Sequence, residues 1–157
     1  MKVLLLLVGK TTPDFVQRGV EEYFGRLKHY LPFEIETIPD IRNTRNLSFD
    51  QIKAKEGEAI LKHIQPDDWI VLLDEHGKEY TSSAFADYIG KKMLAAPKRL
   101  VFIIGGPYGF SDKIYAVACE KISLSKMTFS HQLVRLLFTE QLYRIMTILN
   151  HQPYHHA

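Results

Sequence analysis

The fold is decided by the stretch Leu100-Val101-Phe102-Ile103-Ile104-Gly105-Gly106-Pro107-Tyr108-Gly109. Its apolar half predicts a strand that is buried on both faces, as the strands of a parallel sheet are. Its glycine-rich half predicts a tight turn, and glycines without a Cβ let a backbone approach a flat ligand closely. By itself, the turn fits a ligand pocket and a simple strand-to-helix connection equally well. Because the spacing is not G-x-G-x-x-G, a dinucleotide-binding dehydrogenase is not expected.

Apolar runs of the same kind recur along the chain and alternate with helical stretches. Strands are predicted at residues 3–8, 33–38, 69–73, 100–104 and 121–124. Helices are predicted from Pro13 to about 28 after an N-cap at Thr12, from 49 to about 63 after an N-cap at Ser48, from about 81 to before Pro97, from about 111 to before Cys119, and from about 131 to 149. This alternation predicts an α/β fold: a mostly parallel sheet with helices on both faces.

Size and composition predict one globular domain over residues 1–157. The apolar run at residues 1–8 is short for a signal peptide and lacks a small-residue cleavage site, so it is interpreted as a buried first strand. No other run approaches the roughly 20 apolar residues that cross a bilayer. The single cysteine, Cys119, cannot form an intrachain disulfide and is expected to be buried. A cytoplasmic protein is therefore expected.

Charge gives weaker guidance. The net charge of +2 is compatible with a polyanionic partner, but it falls short of a dedicated nucleic-acid binder. The polar loop at residues 39–46 carries Arg42 and Arg45, is expected to be exposed, and could contact RNA phosphates. In the helix that follows, Lys53, Lys55, Glu56 and Glu58 are expected to face solvent.

The last predicted helix is too apolar to have a single narrow buried stripe. It should be covered on more than one side, and a domain of this size has few elements to do so. A second subunit is therefore predicted to supply part of the cover through a symmetric contact, which makes the protein a homodimer.

Two further segments resemble pocket walls. The stretch Leu72–Lys78 ends a strand in a polar, glycine-containing turn, and ligands bind at the carboxyl ends of strands in open α/β sheets. The stretch Leu124–Phe129 mixes hydroxyls with apolar side chains, and its backbone polar groups need partners, of which a ligand is one. A phosphate-binding P-loop is rejected because Leu4 stands where its first glycine would be. The histidines near the terminus are not expected to bind a metal.

Three stretches together resemble a known signature: Ile103–Gly109, Leu124–Arg135 and Pro153–His155. They are similar to the bacterial pseudouridine N3-methyltransferases of large-subunit (23S) rRNA, which belong to the SPOUT superfamily, and the resemblance covers nearly the whole chain. It implies a deep C-terminal trefoil knot at about residues 100–149, a homodimer formed through the last helix, and a substrate in the assembled ribosome. It also implies S-adenosylmethionine as the cofactor, with no metal.

The resemblance maps the cofactor site onto Leu73, Gly105, Gly106, Gly109, Leu124, Ser125, Lys126, Met127, Thr128 and Phe129. The family's C-terminal tail is implicated in catalysis. This points to His155 as the proton acceptor and to Tyr154 as the residue that stacks on the nucleobase or hydrogen-bonds to its edge. His131 and Arg135 lie one helical turn apart and could face the substrate together, although His131 could equally cap the helix or satisfy a buried carbonyl.

Two points remain open in the sequence. The usual pattern has Arg or Lys after the Tyr-His pair, whereas this chain has His156, which puts a phosphate contact there in doubt. The alternative function is a non-catalytic nucleotide- or ribosome-binding module with the same fold.

Overall fold

The computed structural model describes residues 1–156. Its elements are β1 (Lys2–Val8), α1 (Asp14–Leu27), β2 (Phe33–Ile38), α2 (Phe49–Leu61), β3 (Trp69–Glu79), α3 (Ser82–Ala95), β4 (Arg99–Ile104), α4 (Asp112–Val117), β5 (Glu120–Ser123) and α5 (Leu133–Leu149). The predicted strands and helices are all confirmed. The largest difference is that β3 continues to Glu79, beyond the turn expected after Leu73.

The five strands form one sheet in the order β2-β1-β4-β3-β5, and all their pairings are parallel. The α/β class and the parallel sheet are thus confirmed. Parallel pairing places the carboxyl ends of β3, β4 and β5 at the same edge of the sheet. The three segments that the sequence marked as pocket walls follow or form those ends.

Helices cover both faces of the sheet, and β1 shows why. Its odd-numbered residues Val3, Leu5 and Leu7 pack in a core with α1, α3 and α5, whereas Leu4, Leu6 and Val8 pack in a second core with α2 and α4. Successive side chains of a strand point to opposite faces, so an uninterrupted apolar run serves a sheet that is covered on both sides.

The starts of the helices follow the predicted caps with one exception. Ser48 caps α2 in a capping box with Gln51, and Thr81 caps α3. The N-cap of α1, however, is Pro13 rather than Thr12. The Thr12 backbone amide donates a 3.1 Å hydrogen bond to Oε1 of Gln132, which precedes α5.

Helix α5 is covered only in part within the chain. Seven of its 17 residues are buried, and the others, among them the apolar Leu137 and Ile148, keep part of their surface exposed. A Cβ added at Gly19 of α1 would lie 2.6 Å from Leu136, and one at Gly90 of α3 would lie 3.3 Å from Leu149, so both helices approach α5 closely on its inner side. The dimer stays a prediction.

Cys119 is exposed, which contradicts the expectation of a buried thiol. Its backbone amide donates a 2.8 Å hydrogen bond to the Ile70 carbonyl.

Among residues 1–156, none of the helices combines the length and the apolar character that a membrane crossing requires.

Candidate active site

The carboxyl ends of β3, β4 and β5 enclose a cavity of about 530 Å³. Its walls include all three segments singled out in the sequence. Of the expected cofactor residues it is lined by Leu73, Gly105, Gly106, Gly109, Leu124, Ser125, Met127, Thr128 and Phe129. Lys126 is exposed and does not line it. The volume lies within the range of ordinary ligand sites.

The wall formed by Leu124–Phe129 satisfies part of its own backbone. The Ser125 hydroxyl accepts a 2.9 Å hydrogen bond from the Met127 amide, and the Ser123 hydroxyl donates to the Ser125 carbonyl at 2.8 Å. The Thr128 hydroxyl donates to Glu75 Oε2 at 2.8 Å and so ties this wall to the irregular part of β3. The small hydroxyl residues therefore shape the segment, and Met127 remains 77% exposed at its outer edge.

The glycine turn is shaped by one backbone angle and one buried carboxyl. Gly109 has a φ of +86°, in the region that favours glycine. A Cβ at Gly106 would fall 2.5 Å from Glu56 Oε2, so the Glu56 carboxyl occupies the space that a side chain would need. Glu56 is only 8% exposed, contrary to the expectation that it faces solvent. Burial raises the pKa of Glu56, and the nearby Asp40 carboxylate raises it further.

Several lining residues were not assigned to the site from the sequence. Asp74 and Glu75 lie within β3, at its irregularity between Leu73 and Lys78, and the Tyr115 hydroxyl from α4 donates to Asp74 Oδ2. Burial raises the pKa of Tyr115, and its hydrogen bond to Asp74 adds to the shift. The polar, glycine-containing stretch after Leu73 was the sequence signal from which Asp74 could have been assigned to the site. Tyr115 and Lys53 come from helices that only the tertiary fold brings to the cavity.

His131 is the one expected catalytic residue that lines the cavity among those that the structure describes. Burial lowers the pKa of His131, the positive charge of Arg135 lowers it further, and Asp40 opposes the shift. The imidazole is therefore neutral at neutral pH. A neutral imidazole has a lone pair with which it can accept a proton.

Arg135 does not face the cavity. It is fully buried, and its guanidinium donates to the carbonyls of Val8 and Gly9 at 2.8 Å and to the Thr11 hydroxyl at 2.8 Å. Its Nε donates to the His131 carbonyl at 3.2 Å. Burial lowers the pKa of Arg135, which Asp40 partly offsets. The expectation that Arg135 and His131 face a substrate together is therefore wrong for this chain: Arg135 fastens α5 to the end of β1.

Tyr154 and His155 also lie away from the cavity, against the outer surface of α1 and α5. The Tyr154 hydroxyl donates to Glu140 Oε1 at 3.0 Å, and its ring meets that of Tyr143 edge-on at 4.8 Å. The Arg144 guanidinium lies 4.6 Å from the Tyr154 ring and donates to His155 Nδ1 at 3.2 Å. Burial raises the pKa of Tyr154, and hydrogen bonds to Tyr23 and Glu140 add to the shift, so it is a hydrogen-bond donor rather than a base.

Within residues 1–156, no three His, Cys, Asp or Glu side chains come together as metal ligands would. The chemistry available at the cavity is that of a neutral histidine, several carboxylates, hydroxyls and glycine backbone.

The sequence is similar over nearly its whole length to one protein family and to several named bacterial proteins. A family model described as "Predicted SPOUT methyltransferase" matches residues 1–155. The chain is 61% identical to the "Ribosomal RNA large subunit methyltransferase H" of Parabacteroides distasonis over 156 residues, which is 99% of both chains. It is 60% identical, with the same coverage, to the proteins of that name from Bacteroides thetaiotaomicron and Phocaeicola vulgatus.

Proposed function

The chain belongs to the SPOUT methyltransferase family, and from this premise we propose that it methylates N3 of a pseudouridine in 23S rRNA. In this proposal it is a single-domain cytoplasmic enzyme that uses S-adenosylmethionine and acts as a homodimer on the assembled ribosome. The observation that carries the proposal is the cavity at the carboxyl ends of β3, β4 and β5, where two of the three stretches that resemble the rRNA enzymes, Ile103–Gly109 and Leu124–Arg135, converge.

The residues of the cavity fit S-adenosylmethionine. Leu73, Leu124 and Phe129 offer apolar walls to an adenine ring, while the glycine turn presents backbone donors and acceptors. Asp74 and Glu75 supply carboxylates for the ammonium and ribose hydroxyl groups. When bound, the cofactor supplies an electrophilic methyl group on a sulfonium. The protein has to hold the target nitrogen in line with that group.

The N3 imide keeps its proton near neutral pH, so a group of the protein has to accept it or stabilise the anion. We assign proton acceptance to His131, because it lines the cavity and its pKa is lowered. Tyr154 keeps its proton, which suits it to donate a hydrogen bond to a carbonyl of the base.

The tail reaches the site most simply from a second copy of the chain. In its own chain the tail is held by Glu140 and Arg144 on the outside of α5, whereas only the first turn of α5, at Val134, touches the cavity. Docking of α5 against a partner would place this outer surface at the subunit boundary. Each active site would then combine one protomer's cavity with Tyr154 and His155 of the partner subunit.

The trefoil knot is part of the same proposal. Its support is the close contact between β3 and β5: Ile122 is the register partner of both Leu73 and Lys78. A Cβ at Gly77 would lie 2.6 Å from the Ile122 amide nitrogen, so the two paired backbones leave no room for a side chain there. Such close packing fits a chain that is drawn tightly past its own loop.

A labelling experiment tests the proposed function. The protein is incubated with methyl-labelled S-adenosylmethionine and ribosomes that lack this modification, and nuclease mapping then locates the label in 23S rRNA. We expect label on one pseudouridine. Ribosome binding without any incorporation would instead support a non-catalytic module, and label on a different nucleotide would contradict the assigned substrate.

A further inference from the structure

We propose that the stacked rings of Phe49 and Tyr108, which we call the aromatic platform, bind an unpaired base of the rRNA beside the target nucleotide. The inference rests on the proposed function, because it presupposes an rRNA substrate. It adds a substrate contact at the rim of the cofactor cavity and apart from the C-terminal tail.

The platform is exposed and flat. The two ring centroids are 4.2 Å apart with an interplanar angle of 17°, and the side chains are 63% and 42% exposed for Phe49 and Tyr108. Tyr108 also lines the cavity, so the stack stands at its rim. Aromatic rings are favoured surfaces for unstacked RNA bases, which are the part of RNA that proteins read most readily.

The position of Phe49 is fixed by the helix that it begins. The Ser48 hydroxyl accepts from the Gln51 amide at 3.2 Å, and the Gln51 side chain accepts from the Ser48 amide at 2.8 Å. This capping box sets the backbone at the first residue of α2. The ring is therefore presented from an ordered helix end, at a low entropic cost of binding.

The loop that precedes Phe49 carries positive charge that suits a polyanion. The loop that leads into α2 carries Arg42 and Arg45, both exposed, and neither guanidinium has an ion pair or hydrogen bond to another described residue. The acidic groups of this region are Asp40 in the same loop, Asp50, which pairs with Lys53 at 3.3 Å, and Asp112, which lines the cavity with Tyr108. Two free arginines in the loop that precedes Phe49 suit a phosphate backbone whose splayed base stacks on the platform.

The platform also stays accessible in the proposed dimer. It belongs to α2 and to the turn after β4, and α2 packs on the face of the sheet opposite to α5. A dimer formed through α5 leaves that face uncovered. The substrate can therefore contact the platform while the partner's tail completes the site.

The test compares Phe49→Leu, which keeps the apolar volume but loses the flat ring, with the matched control Phe49→Tyr, which keeps the ring. Single-turnover methylation is measured against ribosome concentration, and cofactor affinity is measured separately by calorimetry. We expect Phe49→Leu to raise the half-saturating ribosome concentration at least about fivefold, the lower bound for the loss of one base stack. Its maximal rate and cofactor affinity should not change, and Phe49→Tyr should match the wild-type protein.

An unchanged half-saturating ribosome concentration in Phe49→Leu would contradict the inference. So would a loss of methylation activity that weaker cofactor binding explains. Ultraviolet crosslinking of the wild-type protein to ribosomes identifies the occupant: we expect a nucleotide on the tryptic peptide 46–53 or 100–113, whereas attachment to a ribosomal protein would contradict the inference. An inactive wild-type protein in the same assay would count against the proposed function instead.

Discussion

At the scale of single residues, Gly109 and Glu56 give the glycine turn its shape in different ways. The backbone of Gly109 has a φ of +86°, and a Cβ there would meet no atom within 4 Å. Its requirement for glycine is thus purely conformational. At Gly106, whose φ is not in this region, a Cβ would instead displace the buried Glu56 carboxyl.

Gly109→Ala should therefore lower the free energy of unfolding by about 1–2 kcal/mol, the cost of a left-handed conformation for an L-residue. The matched control is Gly25→Ala, since Gly25 lies within α1 and a Cβ there also meets nothing. The control should stabilise the protein by about 0.5–1 kcal/mol. Urea denaturation measures both, and equal effects would contradict the assigned strain.

His131 gives the reaction its expected pH dependence. Only the neutral imidazole accepts a proton, and burial together with Arg135 lowers its pKa. The single-turnover rate should therefore fall as pH drops through a value below about 6.5, the ordinary histidine pKa. His131→Asn should slow the reaction about 100-fold or more and remove this acid limb. A variant that keeps the limb would assign it to another group.

At the scale of elements, the site depends on how α5 is attached to the sheet. The first turn of α5 forms part of the cavity wall through Val134. The next residue, Arg135, bonds to the carbonyls at the end of β1, on the far side of β4 from β3. One buried guanidinium thus sets the position of the helix, of the His131 carbonyl and of the wall.

Arg135→Met should consequently destabilise the fold by about 3 kcal/mol, because it leaves carbonyl groups at the end of β1 without their charged donor. The matched control is Arg144→Met on the outer side of α5, whose bond to Glu140 spans one helical turn and contributes about 0.5 kcal/mol. Urea denaturation compares the two. A stable Arg135→Met protein that lacks only methylation would restore a catalytic role for Arg135.

At the scale of the whole molecule, the cavity and the tail lie on different surfaces of one chain. Co-expression of His131→Ala and Tyr154→Ala chains with different affinity tags yields a purified mixed dimer. If the tail acts across the subunit boundary, one of its two sites is intact and the mixed dimer should have about half the wild-type activity. Each variant alone should be inactive, and an inactive mixed dimer would mean that the tail serves its own chain.

Much of the fold could be predicted from local pattern. The strands of β1 and β4 are continuous apolar runs, which only a sheet covered on both faces accommodates. Ser48 and Thr81 mark helix starts because a hydroxyl can satisfy the free amides of a first turn. Thr12 carries the same signal, yet the N-cap of α1 is Pro13 and no described side chain caps that helix.

By itself, the sequence determined the α/β class, the parallel sheet and the three segments that form the cavity, because each depends on periodicity or on glycine within a short stretch. Only the tertiary structure decided the surroundings of single polar groups: the burial of Glu56, the anchoring role of Arg135, the exposure of Cys119 and the distance of Tyr154 from the cavity. The physical reason is that burial and hydrogen-bond partners are properties of contacts between residues far apart in the chain. A side chain's type states which bonds it can make, and the fold determines which of those bonds it makes.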